Sequence, residues 1–123
     1  MGGMDEQRYC RLRVIGDNLD LAGPAAALRA LAKHLRDAPA TTEVTIRNGA
    51  VRQERTAGPL HIELTGSPTL GLAGADDDLR AVWDALETVA AESETGAGSG
   101  TAPHRHVARL VITADWPAAP DGL

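Results

Sequence analysis

The chain has 123 residues and a formal net charge of −5 at pH 7, and 43% of its residues are hydrophobic against 24% charged. This balance predicts one soluble domain with a core of its own, and no apolar run is long enough to cross a membrane. Only one cysteine is present, Cys10, which excludes an intrachain disulfide framework and predicts a cytoplasmic protein. Residues 63–123 carry ten acidic and three basic side chains. That imbalance argues against nucleic acid as a ligand and favours a basic protein partner.

The first third of the chain predicts a hairpin followed by a helix. Residues 8–15 alternate between polar and apolar side chains, as a half-buried strand does, and residues 19–22 form the returning strand after a turn at Gly16. Pro24 suits the first turn of a helix, and Pro39 follows the end of that helix. Cys10 lies on the apolar face of the first strand, which predicts a buried side chain and not a nucleophile.

The middle of the chain predicts more strands and a second helix. Residues 43–48 alternate, and Asn48-Gly49 is a hairpin signal. The polar residues 50–55 that follow are typical of either an edge strand or a loop. Two further strands are predicted at 60–65 and 69–73, and a helix begins near Ala75 with three aspartates in its first turn, where they favour the helix dipole. Residues 93–103 are predicted to be a flexible linker, residues 107–113 a last strand and residues 115–123 an extended tail.

An internal repeat predicts the fold. Leu-x-Leu-Ala-Gly occurs at residues 19–23 and 70–74, and in each copy a helix with Leu-Arg-Ala follows. We therefore expect an α+β domain made of duplicated β-β-α-β units, repeat one spanning about residues 8–48 and repeat two about 60–114. The prediction is a single antiparallel sheet with both helices on one face, a two-layer sandwich that resembles the TATA-binding-protein fold.

No catalytic constellation is found, so a non-catalytic protein without a cofactor is expected. Acidic side chains of the second helix are the predicted contacts to a basic partner, together with the tryptophan of the tail, which either folds back onto the domain or is offered to that partner: Asp76, Asp77, Asp84, Glu87 and Trp116. Self-association, through an edge strand at residues 50–55 or an alanine-faced helix, is an alternative.

A metal site is the second alternative. His104 and His106 are two residues apart, so their side chains would point to the same side of a strand, as metal ligands do. A third ligand would come from His34, His61, Cys10 or an acid, although none of these stands at a diagnostic spacing from the pair. A metal-dependent enzyme or a metal sensor would use such a site.

Residues 70–86 and 104–107, with the Leu-x-Leu-Ala-Gly and Leu-Arg-Ala helix entry and the later His-x-His-Val, resemble small actinobacterial-type immunity proteins of polymorphic toxin systems. The resemblance implies a cytoplasmic bacterial protein that binds and blocks a cognate toxin. The acidic second half is consistent with inhibition of a basic toxin.

Overall fold

A computed structural model describes residues 8–47, 49–65, 68–95 and 104–114. These residues form an α+β fold with two helices and two four-stranded mixed sheets. The elements are β1 (Arg11–Ile15), β2 (Asn18–Gly23), α1 (Ala25–Arg36), β3 (Thr41–Ile46), β4 (Gly49–Arg55), β5 (His61–Thr65), β6 (Thr69–Gly74), α2 (Asp76–Thr95), β7 (His104–Val107) and β8 (Leu110–Ala114). Neither of the helices described is long and apolar enough to cross a membrane.

Each sheet combines one hairpin from the first half of the chain with one hairpin from the second half. The first sheet has the order β1-β2-β8-β7 and the second sheet the order β3-β4-β6-β5. Within each sheet the outer pairs are antiparallel and the central pair, β2–β8 or β4–β6, is parallel. The repeating unit is therefore hairpin–helix–hairpin. When β1 to β4 are matched in order with β5 to β8, the strand order of the first sheet becomes that of the second. The predicted single antiparallel sheet is wrong, because the hairpin after each helix pairs with the other half of the chain.

Strand β4 corrects a second prediction. Residues 50–55 were expected to be an edge strand or a loop, but β4 is a central strand that pairs with β3 on one side and β6 on the other. Its Arg52 and Glu54 are exposed, while Val51 and Gln53 are fully buried. Both of its edges are paired within the chain, so β4 has no free edge at which a second copy could add a strand.

One core lies between the inner faces of both sheets and the apolar faces of both helices. Cys10 is buried in it, as expected, and Trp83 is buried there too. Helix α2 continues to Thr95, so the predicted linker boundary at residue 93 is wrong. The rest of that linker, the tail with Trp116, and Asn48 of the predicted hairpin lie outside the described residues.

The repeated glycine is a packing feature. A Cβ placed on Gly23 would lie 3.1 Å from the Cα of Cys10, and one on Gly74 would lie 3.0 Å from the Cα of Leu60. Both contacts are with backbone, which cannot move aside as a flexible side chain does. Each glycine therefore lets the strand that ends there approach the segment preceding its neighbouring strand.

Candidate functional site

The acids predicted to bind a partner are largely engaged within the chain. Asp76 lies 2.8 Å from Arg55, and Arg36 lies 2.5 Å from Glu87 and 3.5 Å from Asp84. The hydrogen bond from Arg36 lowers the pKa of Glu87 below its ordinary value, and the nearby positive charges of the arginines add to this effect. These carboxylates join α2 to α1 and β4, so much of their charge is balanced within the fold.

Asp77 is the most exposed of the predicted contacts. Its side chain is 90% exposed and lies 3.3 Å from Arg80, one helical turn away. A pair this exposed contributes little to stability, so Asp77 keeps its hydration and provides a matched control for substitutions elsewhere. Trp116, the predicted aromatic contact, is outside the residues that the structure describes.

A buried polar network surrounds Trp83. The indole Nε1 of Trp83 donates a hydrogen bond to Oε1 of Gln53 at 2.7 Å, and Nε2 of Gln53 donates to the carbonyl of Leu35 at 2.8 Å. The guanidinium of Arg55 lies 5.0 Å from the centre of the Trp83 ring and donates to the carbonyl of Arg36 at 2.8 Å. The network satisfies carbonyls at the end of α1, which otherwise lack intrahelical donors. Its role is structural, because its buried groups already have partners.

The predicted histidine pair lies on one side of β7. The ring centres of His104 and His106 are 5.8 Å apart in a T-shaped arrangement, as their spacing predicts. His34 is on α1 and His61 on the other sheet, while Cys10 is buried in the core. Within the described ranges no group of three His, Cys, Asp or Glu side chains could hold a metal ion. The third ligand of the predicted site is therefore not found in this part of the chain.

An open cavity of about 330 Å³ lies on the outer face of the second sheet, the side turned away from the core. All four strands of that sheet contribute to it. The cavity is lined by Glu43, Arg52, Glu54, His61, Glu63, Thr65, Thr69, Gly71, Leu72 and Ala73. Gly71 occupies the centre of the face, where it pairs with Arg52 on one side and Glu63 on the other. The absence of a side chain at Gly71 leaves the middle of the sheet uncovered.

The charges of this outer face are mostly unpaired. Among the residues described, Glu43, Arg52 and Glu54 make no ion pair through their side chains, and all three are exposed. His61 and Glu63 approach each other to 3.3 Å, but both side chains are more than half exposed. Three carboxylates therefore face one guanidinium and one imidazole, so the face carries more acidic than basic side chains.

Apart from His61, which was named as a possible metal ligand, sequence reasoning did not single out these residues. Two signals were present: the variable position of Leu-x-Leu-Ala-Gly is Asp20 in the first copy and Gly71 in the second, and charged residues alternate along β4 at Arg52 and Glu54. Neither signal could be interpreted without knowing that β4 and β6 are neighbours. The parallel pairing of these two strands brings the charged residues around the glycine.

Comparisons with known proteins assign no family to this fold. No protein-family model matches the sequence, and neither the comparison with curated proteins nor the comparison with solved structures finds a significant match. The arrangement of its own side chains is therefore the basis for proposing a function.

Proposed function

We propose that the protein is a non-catalytic binding module that takes a basic protein partner on the outer face of the second sheet. The observation that carries the proposal is the open polar cavity with unpaired carboxylates at Glu43 and Glu54. A sheet face that contributes only to folding usually balances its charges by cross-strand pairs. Here Thr41 faces Glu54 and Arg52 faces Glu43 in register, yet no ion pair joins the second of these couples.

The proposed partner contact lies on the second sheet, whereas the sequence predicts it on the acids of α2. Asp76, Asp84 and Glu87 are held by arginines of the same chain, so a partner would have to compete with those contacts. Glu43 and Glu54 have no such competitor among the described residues. Charge complementarity accelerates association and weakens with salt, so the complex should form fastest at low ionic strength.

A more specific form of the proposal is an immunity-type inhibitor that covers a basic toxin. The resemblance carried by residues 70–86 and 104–107 supports it, and so does the acidic second half of the chain. An inhibitor needs no chemistry of its own, only a face that complements the charged surface it blocks.

The test compares two neutralised variants with equal net charge. Glu43→Gln/Glu54→Gln removes two charges from the outer face, and Asp77→Asn/Asp78→Asn removes two from the start of α2. A basic protein captured from the source cell at low salt is identified, purified and titrated against both variants. We expect the first variant to bind at least about tenfold more weakly, a loss of about 1.4 kcal/mol, and the second to bind like the wild type.

Three results would contradict the proposal. The first is equal affinity for the wild type and the Glu43→Gln/Glu54→Gln variant. The second is an equal or greater loss in the Asp77→Asn/Asp78→Asn variant, which would return the contact to α2. The third is the absence of any stoichiometric basic protein at low salt.

A further inference from the structure

The register of the strands relates the two outer faces residue by residue. The Leu-x-Leu-Ala-Gly of β2 corresponds to that of β6, so Asp20 corresponds to Gly71. The residues that pair with Asp20 on its adjacent strands then correspond to the residues that pair with Gly71. The central row across the first sheet is Arg13, Asp20, Val111 and His106. The matching row across the second sheet is Glu63, Gly71, Arg52 and Glu43.

In the first sheet the centre of this row is filled by an ion pair. The side chain of Asp20 is only 3% exposed, and its Oδ2 lies 2.9 Å from Nε of Arg13 on the neighbouring edge strand. The hydroxyl of Thr113 donates a hydrogen bond to Oδ1 of Asp20 at 3.0 Å. A guanidinium from the edge strand thus covers a carboxylate on the central strand, which shows how this fold closes the outer face of a sheet.

In the second sheet the same place holds a carboxylate and no guanidinium. Glu63 stands where Arg13 stands in the first sheet, and Gly71 stands where Asp20 does. A Cβ on Gly71 would lie 3.2 Å from Cγ and 3.7 Å from Oε2 of Glu63, so the carboxylate of Glu63 leans over the glycine. The carboxylate is where the first sheet has its ion pair, but among the described residues its ion-pair partner is the exposed imidazole of His61, 3.3 Å away, and it has no guanidinium partner.

Arg52 does not supply that partner. It lies beside Gly71 in the same row, but its guanidinium makes no ion pair with the described carboxylates of the face. Glu54, which occupies the place of Thr113, adds a further carboxylate. The second sheet therefore has the carboxylates of Glu54 and Glu63 around an open centre, whereas the first sheet has a guanidinium there.

From this comparison we infer that the outer face of the second sheet receives an arginine side chain of a protein partner, seated over Gly71 against Glu63. The inference rests on the proposed function and names the group that is recognised. A planar guanidinium has five N–H donors and can bridge carboxylates on different strands, which the compact ammonium of lysine does less well. The cavity of about 330 Å³ is open enough to admit a side chain from outside.

The first test uses three blocked tripeptides as probes: acetyl-Gly-X-Gly-amide with arginine, lysine or citrulline at X. Citrulline keeps the shape of arginine and lacks its charge. Backbone amide shifts of the full chain are followed by NMR during titration. We expect the arginine peptide to cause saturable shifts centred on β5, β6 and β4, the lysine peptide to bind several-fold more weakly and the citrulline peptide to cause none. Equal binding of arginine and lysine, or shifts centred elsewhere, would overturn the inference.

The second test transplants the ion pair of the first sheet. The variant Gly71→Asp/Glu63→Arg recreates in the second sheet the pair that Asp20 and Arg13 form in the first, so its own guanidinium fills the site. We expect arginine-peptide shifts to disappear while the far-ultraviolet circular dichroism spectrum is retained. Glu63→Gln leaves the glycine unchanged and is expected to weaken binding of the arginine peptide at least threefold. This single variant tests the inference even if the double variant does not fold. Asp78→Asn, at an exposed residue of α2 outside the predicted contacts, is the matched control and should bind as the wild type does.

The outcome separates this inference from the function on which it rests. If a basic protein binds and Glu43→Gln/Glu54→Gln weakens it, but the arginine and lysine peptides behave alike, the inference is overturned and the proposed function stands. If the arginine peptide binds at Gly71 but no basic protein is found, the guanidinium site stands and the proposed function fails.

Discussion

Gln53 is the residue whose replacement tests the buried network most directly. It is fully buried, accepts a hydrogen bond from the indole of Trp83 and donates one to the carbonyl of Leu35. In Gln53→Leu both bonds are lost while the volume of the side chain is nearly kept. The substitution therefore measures the polar contribution of this position with little change in packing.

The expected cost follows from which groups are left without partners. The indole N–H of Trp83 remains buried, since Trp83 is only 3% exposed, and an unsatisfied donor of this kind costs about 1–3 kcal/mol. The carbonyl of Leu35 loses its bond at 2.8 Å but keeps longer ones from the backbone N–H of Ala38 at 3.3 Å and from Arg55 at 3.4 Å, which limits that loss to about 0.5–1.5 kcal/mol. The free energy of unfolding should fall by about 2–4 kcal/mol, a large share of the roughly 5–15 kcal/mol of a typical domain.

Urea unfolding followed by far-ultraviolet circular dichroism measures this change. The double variant Gln53→Leu/Trp83→Phe removes donor and acceptor together, so it should lose less than the sum of the two single variants, by about 1–2 kcal/mol. A neutral Gln53→Leu, or strict additivity of the two substitutions, would show that the hydrogen bond between these side chains does not stabilise the fold.

Two further predictions concern packing and pH. Gly74→Ala should lower the free energy of unfolding by about 1–3 kcal/mol, because the added methyl group meets the Leu60 backbone. Gly58→Ala is the control: its added methyl group has its nearest neighbour at 3.9 Å, so the free energy of unfolding should change by less than about 0.5 kcal/mol. Equal melting temperatures for the two variants would refute this prediction. The Arg36 hydrogen bond lowers the pKa of Glu87 below 4.5, so its stabilisation is present above that pH and is lost as the pH falls through the lowered value. Glu87→Gln should therefore flatten the acid-induced loss of stability below about pH 5 in urea titrations, and an unchanged slope would contradict the pairing.

The local pattern of the sequence predicted most of the elements. Alternation marked strands such as β1 and β3, and Pro24 and the aspartates after Ala75 marked the starts of α1 and α2, because these signals come from residues close together in the chain. The polar strand β4 was ambiguous, since its inward residue Gln53 is polar and compensated by a bond to Leu35, which lies 18 residues earlier. No local signal reveals a compensation of that kind.

The candidate site was less accessible to prediction than the elements. The acids of α2 were chosen because their charges stand together in the sequence, but Glu87 is paired with Arg36, which is 51 residues away. The carboxylates of the outer face lie on separate strands, and Glu43 and Glu63 come onto one face only when β4 and β6 join their hairpins. Charge density along the chain is therefore a poor guide to which charges remain available.

The sequence by itself determined the repeated hairpin–helix pattern and the inward and outward faces of the strands, because these depend on residues close together in the chain. Only the tertiary structure decided that each sheet is made of one hairpin from each half of the chain. Parallel pairing of β2 with β8 joins residues about 90 positions apart, and such pairing is chosen by burial of a shared core and not by local preference. That choice also placed Thr113 of β8 beside Asp20 and Arg52 of β4 beside Gly71.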